Sequence, residues 1–77
     1  MAIGFVLITI ATAHEHKVYK ELSKVPEIVE LYPLFGEYDL LAKIKADDFD
    51  NLGAIVVNKI RSIEGVRFTT TFTETKF

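Results

Sequence analysis

The chain has 77 residues, 49% of them apolar, a formal net charge of −2 and no cysteine. A chain this short buries only about 60–65% of its unfolded surface, and without cysteine neither a disulfide nor a thiolate metal site can brace it. The slight acidity argues against a nucleic-acid-binding face, and no apolar run reaches the roughly 18–20 residues of a membrane-spanning helix. The longest such run, Ala2 to Ala13, has no basic segment before it, so it does not read as a signal peptide. The expectation is a single cytoplasmic domain over residues 1–77 that completes its core by self-association.

Residues 2–10 are β-branched, aromatic or small and predict a strand. Alternation places Ile3, Phe5, Leu7 and Thr9 on one face and Gly4, Val6, Ile8 and Ile10 on the other, so both faces are apolar. A strand of that kind is central in its sheet and needs a second layer on each side. Residues 11–16 form an exit loop carrying His14 and His16, the two histidines of the chain. Two imidazoles do not close a metal site, and His-Glu-His lacks the spacing that places ligands on one helical face. No metal or other cofactor is expected.

A helix is predicted from about Glu15 to Lys24, with Val18, Leu22 and Val25 at helical spacing and Pro26 ending it. Glu27 to Leu34 predicts a second strand, with Ile28, Glu30, Tyr32 and Leu34 on one face and Val29, Leu31, Pro33 and Phe35 on the other. Pro33 cannot donate a ladder hydrogen bond, which puts this strand at an edge. Tyr38 to Ala46 predicts the third strand, with Tyr38, Leu40, Ala42 and Ile44 toward the core. Gly36-Glu37 between these strands reads as a hairpin tip, since glycine gives a tight reversal its backbone freedom. Such a tip leaves main-chain donors and acceptors exposed beside Glu37 and Asp39, a combination suited to a small zwitterion.

Asp47 or Asp48 caps a second helix expected from about Phe49 to Ile63. Phe49, Leu52, Val56, Ile60 and Ile63 fall at its core spacing, and Gly53 inside it implies close packing at that point. Gly65 closes this helix in the left-handed region. The last strand, Val66 to about Lys76, alternates Val66, Phe68, Thr70 and Phe72 with Arg67, Thr69, Thr71 and Thr73. The order β-α-β-β-α-β predicts a ferredoxin-like α+β sandwich: a four-stranded antiparallel sheet, two helices on one face, and dimerisation through the other.

The runs Val25-Pro26-Glu27-Ile28-Val29-Glu30-Leu31-Tyr32 and Phe35-Gly36-Glu37-Tyr38-Asp39-Leu40-Leu41-Ala42-Lys43-Ile44 resemble the effector-binding domain of the Lrp/AsnC family of transcription regulators. Ile63-Glu64-Gly65-Val66 and Thr69-Thr70-Thr71 resemble its later marker, with Glu64 where proline is frequent and Phe35 where threonine is frequent. The resemblance implies a stand-alone ligand-binding (RAM) domain without the helix-turn-helix domain. It implies a homodimer assembling into an octamer or decamer, with a small amino-acid effector held where dimers meet. It places the effector on Gly36, Glu37, Tyr38 and Asp39 of the turn, on Asp48, and on the hydroxyls of Thr69 and Thr71. Any effect on transcription would then come from co-assembly with full-length Lrp/AsnC-type regulators, with no direct nucleic-acid or membrane binding and no enzymatic activity.

Two other classes share the topology. A small dimeric α+β barrel enzyme would use a cleft between helices and sheet, where a His14–Asp39 pair offers acid–base chemistry. An ACT-like regulatory domain would sense the same kind of ligand on behalf of a metabolic enzyme.

Overall fold

In β1 (Ala2–Ile10) every second residue is buried, and the strand lies between two others as its apolar faces predict. The computed structural model describes residues 1–75. The further elements are α1 (Glu15–Leu22), β2 (Ile28–Pro33), β3 (Leu40–Ala46), α2 (Phe49–Ile55), a π-helical turn continuing α2 over Val56–Ile60, and β4 (Val66–Thr73). The strands form one sheet in the order β2-β3-β1-β4, and every neighbouring pair is antiparallel. This is the ferredoxin-like arrangement, with β2 at the edge where Pro33, its last residue, removes no ladder bond from a central strand.

The core lies between the sheet and the helices. Val6, Ile8, Ala42 and Ile44 from the two central strands are wholly buried, together with Val18 and Leu22 of α1 and Ile60 at the end of the π turn. Burying a side chain of the Val, Leu or Ile type contributes roughly 1.5–3 kcal/mol. Among the described residues no helix covers the other face of the sheet. There Phe5 pairs with Phe72 and with Lys43, and Leu7 pairs with Thr70 and Leu41. Phe68 and Phe72 keep 65% and 53% of their surface.

Several local expectations are corrected. The alternation in β2 breaks at a register shift between Ile28 and Glu30, so Ile28 and Leu31 both pack on the core although they fall on opposite faces of an ideal strand. Tyr38 is half-buried and precedes β3, and α1 ends at Leu22, leaving Val25 in the turn before β2. Phe49 starts α2 but is exposed, and Ile63 packs on the core from beyond the helix. Nothing approaches Gly53, which faces outward. The close approach is at Gly4, where a Cβ would stand 2.7 Å from Leu52 Cδ1, so the strand supplies the small residue that lets α2 settle on the sheet.

The main chain of α2 widens because Arg61 N donates to Val56 O at 2.8 Å, a five-residue step. Gly65 has φ +105 as expected, but it serves the turn into β4 rather than the helix end. A Cβ there would meet His14 Cβ at 2.8 Å. Lys76, assigned to the last strand from sequence, lies outside the described residues.

Candidate functional site

The β2–β3 hairpin closes through Leu34 N, which donates to Asp39 O at 2.8 Å. Gly36 turns at φ +145 with open space where a Cβ would be, and Phe35 beside it is fully exposed. The main chain of residues 35–38 makes no hydrogen bond among the described residues. The base of the hairpin is tied to β1. Asp39 N donates to Ile8 O at 2.9 Å, and the Ile10 amide donates to Asp39 Oδ2 at 2.7 Å. One carboxylate oxygen of Asp39 therefore extends the sheet beyond its last ladder pair.

Asp48 is the cap of α2: its extended backbone lets Oδ1 accept from Asn51 N at 2.8 Å. It stands beyond the far end of β3 from Asp39, a strand whose seven residues span roughly 20 Å at about 3.3 Å per residue. Ile8 pairs with both Leu40 and Thr69, so Thr69 is level with the hairpin base with β1 between them. Thr71 is two residues further along β4, opposite Val6. The seven residues do not converge within one protomer. Gly36, Glu37, Tyr38 and Asp39 stay together, Thr69 and Thr71 lie along the β4 edge, and Asp48 is at the other end.

A cleft of about 410 Å³ opens beside the hairpin base, between the first turns of α1 and the ends of β1 and β3. Its lining is largely apolar, including Ile10, Tyr19, Leu34 and Leu40, with His16 and Asp39 at its margin. His14 is not part of it; its Nδ1 lies 3.2 Å from Thr12 O, and it forms no hydrogen bond with Asp39. No group of three metal-binding side chains gathers among the described residues.

A second cleft, of about 420 Å³, lies at the opposite end between α2 and the end of β3. Glu27 closes it, with Oε2 accepting from Lys59 Nζ at 2.6 Å. That hydrogen bond is the main reason the Glu27 carboxyl is held below the usual carboxylate range. No sequence motif marks this cleft, although Asn51, Ala54, Ile55, Asn58 and Lys59 share one helical stripe. Elsewhere the Lys17 hydrogen bond lowers the Glu64 carboxyl, and the Tyr32 hydroxyl lowers that of Glu30. No helix among the described residues is long and apolar enough to cross a membrane.

With this geometry established, likeness to known proteins is informative. The family model for the Lrp/AsnC ligand binding domain matches residues 3–76. An uncharacterised HTH-type transcriptional regulator of Pyrococcus abyssi is 37% identical over 57 residues, 74% of this chain and 38% of the regulator. The chain thus spans well under half of that relative. The crystal structure of FFRP-DM1 superposes with a TM-score of 0.92 at 32% identity, covering 97% of this chain and 100% of that one. The transcriptional regulator NMB0573 of Neisseria meningitidis, solved as a complex with L-Met, shares the fold with a TM-score of 0.87 at 22% identity, covering 97% of this chain and 50% of that one. A homocitrate synthase of Sulfurisphaera tokodaii is 39% identical over 54 residues, 70% of this chain but 12% of the enzyme. A family match over nearly the whole length, on a sheet and helices superposing this closely, leads to one conclusion: the chain belongs to the Lrp/AsnC family and corresponds to its ligand-binding domain.

Proposed function

We propose that the chain is a cytoplasmic, non-enzymatic amino-acid sensor that holds its effector where subunits meet and acts on transcription by co-assembling with full-length Lrp/AsnC-type regulators. The observation that carries this reading is the hairpin tip: main-chain groups of both kinds at residues 35–38 make no hydrogen bond among the described residues, on a turn whose base Asp39 ties to β1. A carboxylate needs donors and an ammonium needs acceptors, and burying either unpaired costs several kcal/mol. The tip offers both, but only from one side. Asp48 and Thr71 lie well along the sheet from the tip and β1 stands between it and Thr69, so in this reading all three contribute from a neighbouring protomer. The uncovered sheet face with Phe68 and Phe72 favours a sheet-to-sheet dimer, and an octamer or decamer would bring hairpins against adjacent dimers. The L-Met complex of the Neisseria regulator agrees with an amino acid as the ligand class.

Thermal-shift screening of the twenty amino acids, followed by calorimetry on two variants, tests this. Gly36→Val should abolish binding, because a β-branched side chain does not hold φ +145 and the tip would change shape. Asp48→Ala should weaken binding by about 1–3 kcal/mol if its carboxylate meets the ammonium. If Asp48 is only a cap, stability falls by about 0.5–2 kcal/mol and affinity is unchanged. Unchanged affinity in both variants would remove the effector from this site.

The homocitrate synthase match favours a second reading, in which the same kind of domain senses an amino acid for a metabolic enzyme. The two readings share the ligand and differ in the partner. Mixed oligomers with a full-length regulator, seen by native mass spectrometry, support the first; strictly separate oligomers support the second.

A further inference from the structure

The two edges of the sheet are finished differently. The β2 edge is interrupted by the register shift between Ile28 and Glu30, carries the Glu30 charge and ends on Pro33. Each of these features discourages a further strand from pairing there. The β4 edge has none of them between Phe68 and Thr73, a run without charge or proline that pairs regularly with β1. Its one irregularity falls at Arg67, before that run. Glu74 N donates to Ile3 O at 3.1 Å, so by the alternation of an antiparallel ladder Phe72, Thr70 and Phe68 bond to β1. The amides and carbonyls of Thr69 and Thr71 therefore point away from β1, at the outer edge of the last strand.

The run Phe68-Thr69-Thr70-Thr71-Phe72 also reads the same in both directions. Laid antiparallel on a second copy and centred on Thr70, it sets Phe68 opposite Phe72, Thr69 opposite Thr71 and Thr70 opposite itself. We propose that the β4 edge docks β4 of a second copy, joining the two sheets into one about a two-fold axis at Thr70. The outward main chains of Thr69 and Thr71 then exchange about four hydrogen bonds between the copies. On the open face each Phe68 lies beside the Phe72 ring of the other copy, an aromatic cross-strand pair, and both rings are more than half exposed in the protomer. Opposite charges bracket the run, Arg67 before it and Glu74 after it. Antiparallel docking brings the Arg67 end of each strand to the Glu74 end of the other, whereas a parallel arrangement would set like charges side by side. The contact uses the edge and leaves the open face free, so it is distinct from face-to-face pairing of the sheets and needs no effector.

The chain has no cysteine, so introduced cysteines report the contact directly. At the two-fold axis Thr70 would face its own copy in a pair without mutual hydrogen bonds, with Cα atoms about 4.5 Å apart and within reach of a disulfide. Thr70→Cys should therefore give a covalent dimer under mild oxidation. Because Thr70 lies on the open face with Leu7, a second measurement separates edge from face. Thr69 and Thr71 lie on the helix side, opposite the buried Ile8 and Val6. Thr69→Cys and Thr71→Cys chains, mixed, should cross-link to each other about tenfold or more faster than either does to itself, since like residues would stand beyond the roughly 7 Å limit. Cysteine is close to threonine in size at these exposed or half-buried positions, and a melting curve checks each fold. Absence of a Thr70→Cys dimer overturns the proposal. So does a Thr70→Cys dimer without preference in the mixture, which would mean stacking through the open face. Faster self-pairing of Thr69→Cys or Thr71→Cys overturns it as well, because the strands would then meet in another register.

Discussion

On β1, Val6 and Ile8 point under the helices and are wholly buried, while Phe5 and Leu7 on the reverse are only half-buried beside the exposed rings of Phe68 and Phe72. The same strand thus serves two apolar surfaces with different completeness. The helix-covered face finds all its partners within the chain, so its burial is present in every protomer. The open face offers aromatic rings with nothing of the described residues above them, and any stabilisation it gains from a partner would depend on concentration. The difference explains how a 77-residue chain without disulfides can carry an apolar fraction of 49%: part of that surface is available for assembly.

The largest break in this comparison comes from the covered face. Ile8→Ala should cost about 2–5 kcal/mol, since it removes a fully buried side chain between sheet and helices. For a domain of this size that lowers the melting temperature by several degrees per kcal/mol. Thermal melts at high and low protein concentration should both record the loss. A cost that disappears at high concentration would mean that assembly, not the internal core, holds β1.

Phe72→Lys attacks the other face. It places a charge among the uncovered rings opposite Phe5 and should cost the association about 2 kcal/mol or more per interface. Sedimentation should shift toward the 8.7 kDa protomer while far-ultraviolet circular dichroism is retained. An unchanged oligomer would show that the sheet face is not the interface.

The smallest expected effect is that of pH. On the open face the Tyr32 hydroxyl donates to Glu30 and Lys43 lies 3.5 Å from it; at the second cleft Glu27 pairs with Lys59. Both carboxyls, with that of Glu64, are held below the ordinary glutamate range in the folded chain, chiefly by these hydrogen bonds. Their contribution is therefore fully present above the unfolded-state glutamate pKa and is lost as pH falls through the lowered values. In the isolated protomer these pairs are solvent-screened and the loss should be slight. If the sheets pair, Glu30 leaves water and acid should dissociate the oligomer before it unfolds the protomer. Light scattering and circular dichroism followed together from neutral pH into the acid range should therefore separate, scattering falling first. Coincident transitions would place Glu30 outside the interface.

Much of the fold was legible because it rests on local periodicity. The two-residue alternation of β1 and β4, the helical spacing of Leu52, Val56 and Ile60, and the punctuation by Pro26, Gly36 and Gly65 mark the element order and the edge position of β2. The hairpin tip was legible for the same reason, and the motifs around it carried the family. Less of the candidate site could be read. Asp48 caps α2 as its place before Phe49 predicts, but nothing local to the turn says that Asp39 extends the sheet through the Ile10 amide. Nor does anything local say that Glu27 comes across to meet Lys59.

The kind and order of elements follow from local sequence, since side-chain period and turn chemistry act within a few residues. Tertiary structure alone decided how those elements register. The bulge at Val29 turns Ile28 and Leu31 to one side, Gly4 rather than Gly53 receives the opposing side chain, and the Glu27 oxygen is left beside Lys59. Each of these depends on which distant segments come into contact. Close packing allows only one fit there, and that fit is set by the sum of long-range pairings rather than by any single stretch of chain.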